Sequence, residues 1–335
     1  MRFSVIVPLY NKAPYVRHAL ESVFAQTYKD FECIVVDDGS TDGSLDIVRA
    51  INDEMSRDKS LNEPHTLNDG RFKIFSQANN GVAAARNNGV AVSKGEYVCF
   101  LDADDWWEST FLEEMDRLIA EYPDAGIYAS NYIYYKPGKT HVALSLPRGY
   151  LDYPKAYYEG SSMPVWTGAT CMPRKVFDEM GGFPLGIKLG EDFLLWAKIA
   201  LHYPVAFSEK PLAYYNNDVP ASLRATRNLH APEHHMLFHL DSLEEETRNL
   251  SPVTGNPSEW KALLDKLRVN GLMDYWLSDE YHDVATAELA KVNWSKQPKS
   301  AKAQYEKPIW FLRAKRRFMQ VGSYCKQKLL HLKNK

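Results

Sequence analysis

The sequence has few of the features that mark membrane-spanning, disulfide-stabilised or nucleic-acid-binding proteins. No apolar run approaches the ~20 residues needed to cross a bilayer, and Pro8 interrupts the N-terminal run Phe3–Val7 before it reaches signal-peptide length. The four cysteines show no C-x-x-C spacing, so no disulfide framework or common zinc site is indicated. A formal net charge of −3 over 335 residues excludes a wholesale nucleic-acid binder. We therefore expect a globular protein of the reducing cytoplasm.

Short apolar runs alternate with segments of helical periodicity over the first hundred residues. Phe3–Pro8 has the continuous apolar character of a strand covered on both faces. Phe31–Val36, Arg71–Phe75 and Tyr97–Leu101 are predicted to be the next strands of the same sheet. The alanine-rich segment Gly81–Val92 is typical of the helices that separate them. This alternation predicts an α/β fold with a doubly wound, mostly parallel sheet.

Helix-capping residues and local composition predict the remaining helices and strands. Asn11 predicts the N-cap of the first helix, with Pro14 in its first turn. Thr110 and Glu113 predict a capping box for the helix that begins at Phe111. Aromatic-rich strands and turns are expected from about residue 128 to 215, and the chain beyond about residue 220 has the composition of helices only.

Polar residues follow each predicted strand. They are Tyr10-Asn11, Asp37-Asp38, Asn79-Asn80 and the cluster Asp102–Asp105. In doubly wound sheets, ligands bind outside the carboxyl ends of the strands, near the point where the strand order reverses. These residues are therefore expected to meet at one binding site.

Several segments, in order, resemble the family 2 glycosyltransferases, which have the GT-A fold. The segments are Ser4–Asn11, Val35–Asp42, Asn80–Gly89, Leu101–Asp105 and the pair Glu191-Asp192. Each motif alone is weak, and their shared order makes the resemblance specific over about residues 1–215. The resemblance implies a Rossmann-like nucleotide-binding half and an inverting, nucleotide-sugar-dependent reaction.

The resemblance also implies a division of the chain. Residues 1–219 are expected to form the GT-A domain, with 1–105 binding the nucleotide sugar and 106–219 binding the acceptor. Residues 220–335 are expected to form a helical C-terminal region that ends in a basic amphipathic tail.

The D-x-D formed by Asp102 and Asp104 is the predicted metal-binding motif. Two carboxylates this close repel each other unless a cation, a proton or hydrogen bonds hold them. Mn²⁺ and Mg²⁺ prefer such oxygen ligands and share them with substrate phosphates. The resemblance assigns the metal to Asp104 and the ribose or metal shell to Asp102. Asp105 is expected to cap the next segment, and the alternative for the whole cluster is a solvated acidic turn.

The predicted donor site collects residues from several loops. By resemblance, Asp38 accepts a hydrogen bond from the donor base, although its sequence context is also good turn chemistry. Tyr10 lines the pocket or packs in the core, and Arg86 either bridges the diphosphate or braces Asp102. The predicted nucleotide-sugar-binding residues are Pro8, Tyr10, Asn11, Asp38, Asn80, Gly81, Arg86, Asp102 and Ala103.

Asp192 is the predicted general base. An inverting transfer needs a carboxylate that takes the proton of the attacking acceptor hydroxyl, and the start of an apolar helix favours the anionic form. A plain helix cap is the alternative. Glu191, Trp166 and Gly168 are the expected acceptor-binding residues, although Trp166 also suits ordinary packing. Trp106 and Trp107 either shape the donor-sugar pocket or pack.

The chain from Lys307 onward carries basic residues and no acidic ones. Aromatic and aliphatic residues interleave with them, which suits a basic amphipathic helix on an anionic membrane surface. A helix packed on the catalytic domain and a partner-binding tail are the alternatives. The expected location is the cytoplasm, either free or peripheral on the inner face of the cytoplasmic membrane.

Three functions are compatible with acidic residues at strand ends. The favoured function is a glycosyltransferase that uses Mn²⁺ or Mg²⁺ and moves a sugar, most simply from a UDP-sugar, to a glycan or lipid-linked glycan acceptor in surface polysaccharide or glycan synthesis. A nucleotidyltransferase is expected to carry a glycine-rich basic loop, which Val7–Asn11 does not offer. A catalytically silent nucleotide-sugar-binding or membrane-scaffold protein needs neither Asp104 nor Asp192.

Overall fold

A computed structural model describes residues 1–57, 70–220 and 229–314 of the chain. Its strands are β1 (Phe3–Leu9), β2 (Phe31–Asp37), β3 (Phe72–Ser76), β4 (Tyr97–Phe100), β5 (Trp106–Trp107), β6 (Ile127–Tyr135), β7 (His141–Val142), β8 (Gly149–Leu151), β9 (Thr170–Pro173) and β10 (Val205–Asn216). The four strands predicted in the first half are confirmed, with ends that differ by one residue.

Helices separate and follow these strands. They are α1 (Val16–Phe24), α2 (Ser44–Arg57), α3 (Val82–Val92), α4 (Phe111–Glu121), α5 (Tyr153–Glu159), α6 (Arg174–Met180), α7 (Glu191–His202), α8 (Leu240–Asn249), α9 (Pro257–Gly271), α10 (Met273–Trp276), α11 (His282–Ala290) and α12 (Lys299–Tyr305). The described chain beyond Val219 contains helices and short 3₁₀ turns, as predicted.

The strands form one mixed sheet in the order β3-β2-β1-β4-β9-β6-β10-β5, with β7 beside β6 and β8 beside β10. β1 pairs in parallel with both β2 and β4, and β2 with β3. β9 is antiparallel to β4 and β6, whereas β6 and β10 form a long parallel ladder. The chain reverses direction across the sheet between β1 and β4, so this edge is where a doubly wound sheet binds its ligand.

The centre of the sheet is buried on both faces, as its apolar sequence requires. Every residue of β1 and β2 is buried, and the core continues through α1 and α4. Cys33, Cys99 and Cys171 lie in this core as free thiols. The rigid core fixes the loops that leave the carboxyl ends of β1, β2 and β4.

One predicted helix cap was wrong, and the other was confirmed in its position but not in its hydrogen bonds. Asn11 has a φ of 50° and lies five residues before α1, where its side-chain oxygen accepts a hydrogen bond from Thr41 N at 2.8 Å. Thr110 occupies the N-cap position of α4 but makes no side-chain cap hydrogen bond, and Glu113 accepts hydrogen bonds from Arg117 and Thr27. Asn11 and Glu113 thus bond to other partners in place of the local hydrogen bonds that the sequence predicted.

The chain divides into two compact units, Met1–Trp260 and the part that begins at Lys261. In the second unit, the fully buried Arg268 pairs with Asp265 and Glu288, at 3.6 and 3.2 Å. The division predicted at residues 219 and 220 concerns function and stays a prediction. Among the described residues, we find no helix with the length and apolarity of a membrane span.

Candidate donor and acceptor site

A cavity of about 890 Å³ opens at the carboxyl ends of β1 and β4, where the strand order reverses. Loops after β1, β2 and β4, the N-termini of α3 and α7 and the end of β10 form its wall. Its lining includes Pro8, Tyr10, Asn11, Lys12, Asp38, Gly81, Arg86, Asp102, Ala103, Asp104, Asp105, Trp166, Glu191 and Asp192. Its volume lies within the usual range of ligand pockets, about 300–1,000 Å³.

The acidic residues after β4 are already compensated by basic side chains and backbone donors. Lys12 Nζ lies 2.6 Å from Asp104 Oδ2, and Arg86 Nη2 lies 2.8 Å from Asp102 Oδ1. The buried Asp105 accepts a hydrogen bond from Asn216 N at 2.8 Å. Burial and the neighbouring carboxylates Asp104 and Asp102 raise the pKa of Asp105 well above its ordinary value. Asp105 therefore ties the acidic turn to the end of β10.

Arg86 joins the acidic turn to α7. Its guanidinium is buried, and Nη1 donates to Glu191 Oε1 at 2.9 Å while Nη2 donates to Asp102. The ring of Phe183 packs 5.0 Å from the guanidinium carbon. Despite Arg86, burial and the neighbouring Asp192 raise the pKa of Glu191 to about 7. Of the two roles that the sequence left open for Arg86, bracing is the one these contacts make.

Asp192 lies in the first turn of α7, which begins one residue earlier at Glu191. Its Oδ2 accepts a hydrogen bond from the hydroxyl of Thr167 at 3.0 Å, and its Oδ1 accepts from Phe193 N at 2.7 Å. These two donors fix the carboxylate at the cavity wall. The residue in the N-cap position is Gly190, so Asp192 is not the helix cap.

Asp38 fastens the loop between β3 and α3. Its Oδ1 accepts from Asn80 N and from the side chain of Gln77, both at 2.8 Å, and its Oδ2 accepts from Gly81 N at 2.9 Å. The carboxylate is buried and still lines the cavity. Because a carboxylate offers about four acceptor positions, these three bonds leave capacity for a ligand.

Aromatic side chains form the wall nearest α7. Trp166 is buried, packs against Tyr132 and Tyr215 and also lines the cavity. Gly168 lies behind this wall, since a Cβ there would come within 2.5 Å of the Trp166 ring. The carbonyl of Gly168 accepts a hydrogen bond from Trp107 Nε1 at 2.6 Å.

The cavity brings together most of the residues expected from the sequence. Asn80 and Gly168 stand outside its lining and support lining residues from behind. Trp106 and Trp107 are also outside and pack on Tyr214 and Phe111 respectively. Tyr10 is 48% exposed, so it lines the cavity and is not a core residue.

Sequence reasoning missed several lining residues. They are Lys12, Tyr157, Met163, Lys188, Tyr215, Asn216, His235 and Met236. Lys12 adjoins the motif residue Asn11, and that adjacency was the available signal. His235 comes from the 3₁₀ turns before α8, where burial lowers the pKa of its imidazole to about 4 with His230 and His239 adding to the effect. His235 lies far along the chain from every motif, so the sequence did not indicate its place in the cavity.

The described residues contain no group of three or more His, Cys, Asp or Glu side chains arranged to hold a metal ion. The acidic turn instead offers carboxylate oxygens beside an open cavity. Mg²⁺ is usually held by one or two carboxylates together with substrate phosphates rather than by a complete protein cage. The cation that Asp104 contacts in the structure is the ammonium of Lys12.

Comparison with solved structures defines the class of fold. The chain superposes on residues 1–349 of S. aureus TarS in complex with UDP-GlcNAc with a TM-score of 0.68, 22% identity and coverage of 90% of this chain and 83% of that one. It also matches the mannosyltransferase PcManGT of Pyrobaculum calidifontis in complex with GDP-Man and Mn²⁺, with a TM-score of 0.52, 22% identity and coverage of 93% and 83%. The fold is that of the GT-A glycosyltransferases.

The sequence comparisons specify the family within that class. Residues 4–181 match the model for glycosyl transferase family 2, and the chain belongs to this family. A Nostoc glycosyltransferase, alr2836, is 30% identical over 74% of this chain and 71% of its own. Streptococcus pneumoniae GlyA is 33% identical over 60% of this chain and 28% of its own. Over the first curated relatives, the matched segment spans only 28% to 41% of their length.

Proposed function

We propose that this chain is an inverting glycosyltransferase that moves a sugar from a nucleotide-diphosphate donor, most simply a UDP-sugar, to an acceptor hydroxyl. Family membership supports glycosyl transfer. The likeness to TarS, whose structure is a complex with UDP-GlcNAc, supports a UDP-sugar donor. A glycan or lipid-linked glycan is the proposed acceptor, in surface polysaccharide or glycan synthesis at the cytoplasmic side of the membrane.

One observation carries the proposal. A single cavity contains the acidic turn after β4 and the carboxylate of Asp192, and Arg86 links the two walls through Asp102 and Glu191. A glycosyltransferase needs a proton acceptor and a binding site for the leaving diphosphate within one cavity. The proton acceptor must face the sugar while the opposite wall holds the diphosphate.

The proposed roles follow the two walls of the cavity. Tyr10, Asn11 and Asp38, with the backbone near Pro8 and Gly81, receive the nucleoside, and Asn80 supports Asp38 from behind. Asp102 and Ala103 face the ribose and diphosphate side, and Arg86 holds Asp102 in place. On the acceptor wall, Glu191 and Trp166 contact the acceptor, and Gly168 supports Trp166.

Asp192 is the proposed general base. Its hydrogen bonds from the neutral donors Thr167 Oγ1 and Phe193 N hold the carboxylate in place. The acceptor hydroxyl gives its proton to this carboxylate as its oxygen attacks the anomeric carbon. The bond from that carbon to the diphosphate breaks on the opposite side, so the configuration inverts.

Mn²⁺ or Mg²⁺ fits the donor set at Asp104. Its carboxylate oxygens are hard ligands, it lines the cavity, and it is stabilised beside a cation in the structure. When bound, the metal supplies charge neutralisation for the departing diphosphate. The side chain of Asp102 borders the same site, and Asp105 secures the turn through Asn216.

Calorimetric binding of UDP and GDP, with and without Mn²⁺, tests the donor site in wild type, Asp104→Ala and the control Asp46→Ala. Asp46 is an exposed carboxylate on α2 outside the cavity. We expect UDP to bind with metal dependence, the Asp104 variant to lose that dependence, and the control to keep it. Failure of the wild type to bind either nucleotide would remove the proposal. Binding without hydrolysis or transfer of any UDP-sugar would favour the catalytically silent alternative.

A further inference from the structure

Lys12 places an ammonium group on the carboxylate assigned to the metal. Its Nζ lies 2.6 Å from Asp104 Oδ2, and the two side chains are only 16% and 17% exposed. Both line the cavity. At this separation and burial, the pair is a short charge-assisted hydrogen bond rather than a loose surface contact. Asp104 therefore has a resident counter-cation before any ligand enters.

The loop that carries Lys12 is fixed to the neighbouring loop after β2. Lys12 N donates to Ser44 Oγ at 2.8 Å, and Ala13 N donates to Asp42 Oδ2 at 2.9 Å. Asn11 spans the same gap, receiving a hydrogen bond from Thr41 N. These backbone contacts anchor the base of the side chain, so its long stem can change partner without movement of the loop.

Arg86 does not have this freedom. It is 3% exposed and is held between Asp102 and Glu191 by two ion pairs. Lys12 instead holds Asp104 through an ammonium on a flexible stem, which reorients more readily than a buried planar guanidinium. Of the two basic groups on the acidic turn, Lys12 is the one suited to exchange partners.

We propose that Lys12 is an exchangeable counter-cation, which yields Asp104 to the divalent metal when a nucleotide diphosphate is present to receive its ammonium group. This inference rests on the proposed donor site and adds a role for a residue outside the family motifs. One carboxylate oxygen in contact with an ammonium is a poor ligand for a second cation, because the two positive charges repel. The diphosphate removes this conflict by giving Lys12 a new anionic partner.

The exchange makes metal and nucleotide binding cooperative. Metal alone must break the ion pair between Lys12 and Asp104 without a new anionic partner being supplied, so it binds weakly. Nucleotide draws the ammonium away and thereby raises the affinity for the metal. By linkage, the metal raises the affinity for the nucleotide by the same factor. Neutralising Lys12 should therefore change the two separate affinities in opposite directions.

The test measures Mn²⁺ binding by the electron paramagnetic resonance signal of the free ion, and UDP binding by calorimetry, each with and without the other ligand. The variants are Lys12→Gln, Lys12→Arg and the control Lys73→Gln. Lys73 makes an ion pair of the same 2.6 Å length with buried Glu32, away from the cavity. Thermal melts of all variants establish that they are folded.

In Lys12→Gln we expect Mn²⁺ alone to bind about tenfold more tightly and UDP alone about tenfold more weakly, the order expected for one charge-assisted contact. The coupling between the ligands should shrink, Lys12→Arg should retain it in part, and Lys73→Gln should match the wild type. Equal losses for both ligands, or no change in Mn²⁺ binding, would overturn the inference. If the wild type binds no nucleotide, the donor proposal fails, and the Mn²⁺ measurements alone still decide whether Lys12 masks Asp104.

Discussion

Arg86 and Glu191 connect the two walls of the cavity at the level of single side chains. Arg86 divides its two terminal nitrogens between Asp102 and Glu191. Such a bridge needs the planar, forked donor group of arginine, because an ammonium cannot present two fixed and divergent hydrogen bonds in the same way. Arg86 therefore links the proposed donor side of the site to the start of α7.

Glu191→Gln should alter the pH dependence of stability. Burial and Asp192 raise the pKa of Glu191 from 4.5 to about 7. Between these values the folded protein keeps a proton that the unfolded chain releases, so the free energy of unfolding falls as pH rises. Chemical denaturation from pH 5 to 8 should show the wild type losing stability relative to the variant. A difference that does not change with pH would show that the pKa of Glu191 is not raised.

Asp192→Asn should abolish transfer and spare donor binding. The amide keeps the shape of the carboxylate but cannot accept the proton of the acceptor hydroxyl, and loss of a general base typically lowers kcat by about 10²–10⁴-fold. Steady-state turnover and UDP calorimetry on the same preparation measure the two effects. The control Asp178→Asn changes an exposed carboxylate on α6 and should leave both unchanged. If UDP binding falls in parallel with kcat, Asp192 is a structural residue.

The site could be predicted from sequence where its residues lie in compact motifs. Asp102 and Asp104 follow one apolar strand, so their shared location needs only the end of β4. His235 could not be assigned, and the adjacency of Lys12 to Asn11 did not by itself show that its side chain reaches the cavity, because both positions depend on how separate loops meet. The partner of Arg86 on α7 was missed for the same reason, since 105 residues separate it from Glu191.

The packing of helix α3 against strand β1 supports the cavity wall. Gly89 lies on the buried face of α3, where an added Cβ would come within 2.4 Å of Ile6 Cγ2 and 3.2 Å of Val36 Cγ2. The absence of a side chain at Gly89 lets the helix approach the sheet closely. The start of the same helix then brings Gly81 and Arg86 to the carboxyl ends of the strands.

Gly89→Ala should destabilise the protein by about 1–3 kcal/mol, because overpacking outweighs the better helix propensity of alanine. The added methyl group must push α3 away from β1 or force Ile6 from its rotamer. Chemical denaturation of Gly89→Ala, Ile6→Ala and the double variant measures the coupling. The double variant should be more stable than the sum of the single losses predicts. If the losses of stability in the two single variants simply add in the double variant, the added methyl group does not strain Ile6. Val92→Ala, at an exposed position of α3, serves as the control.

Elements with continuous apolar sequence were predicted well, and those set by distant pairing were not. β1, β2 and β4 are buried on both faces, which produces an unmistakable pattern. β9 is a four-residue strand between antiparallel neighbours, and its position between β4 and β6 is a property of the whole sheet. Asn11 likewise has a positive φ and contacts Thr41 in another loop, and rules for local helix capping cannot predict such a contact.

The whole molecule combines a nearly neutral charge with a basic C-terminal end. The net charge is −3 over 335 residues, so any attraction to an anionic surface must be local. Most of the tail that the sequence singles out, residues 315–335, lies outside the described residues. Within the described part, Arg313 pairs with Asp279, while Trp310 and Phe311 are 69% and 46% exposed. The aromatic pair is therefore the described feature best suited to enter a membrane interface.

Trp310→Ser with Phe311→Ser should weaken binding to anionic vesicles severalfold while leaving transfer to a soluble acceptor unchanged. Aromatic rings contribute buried apolar area at the lipid interface, and the basic residues around them add an attraction that salt screens. Co-sedimentation with phosphatidylglycerol and phosphatidylcholine vesicles at low and high salt separates the apolar contribution to binding from the electrostatic one. Leu185→Ser removes an equally exposed apolar side chain of the first unit and should have no effect. If the wild-type protein does not bind anionic vesicles, the membrane role is excluded. The acceptor would then have to reach the cavity from solution.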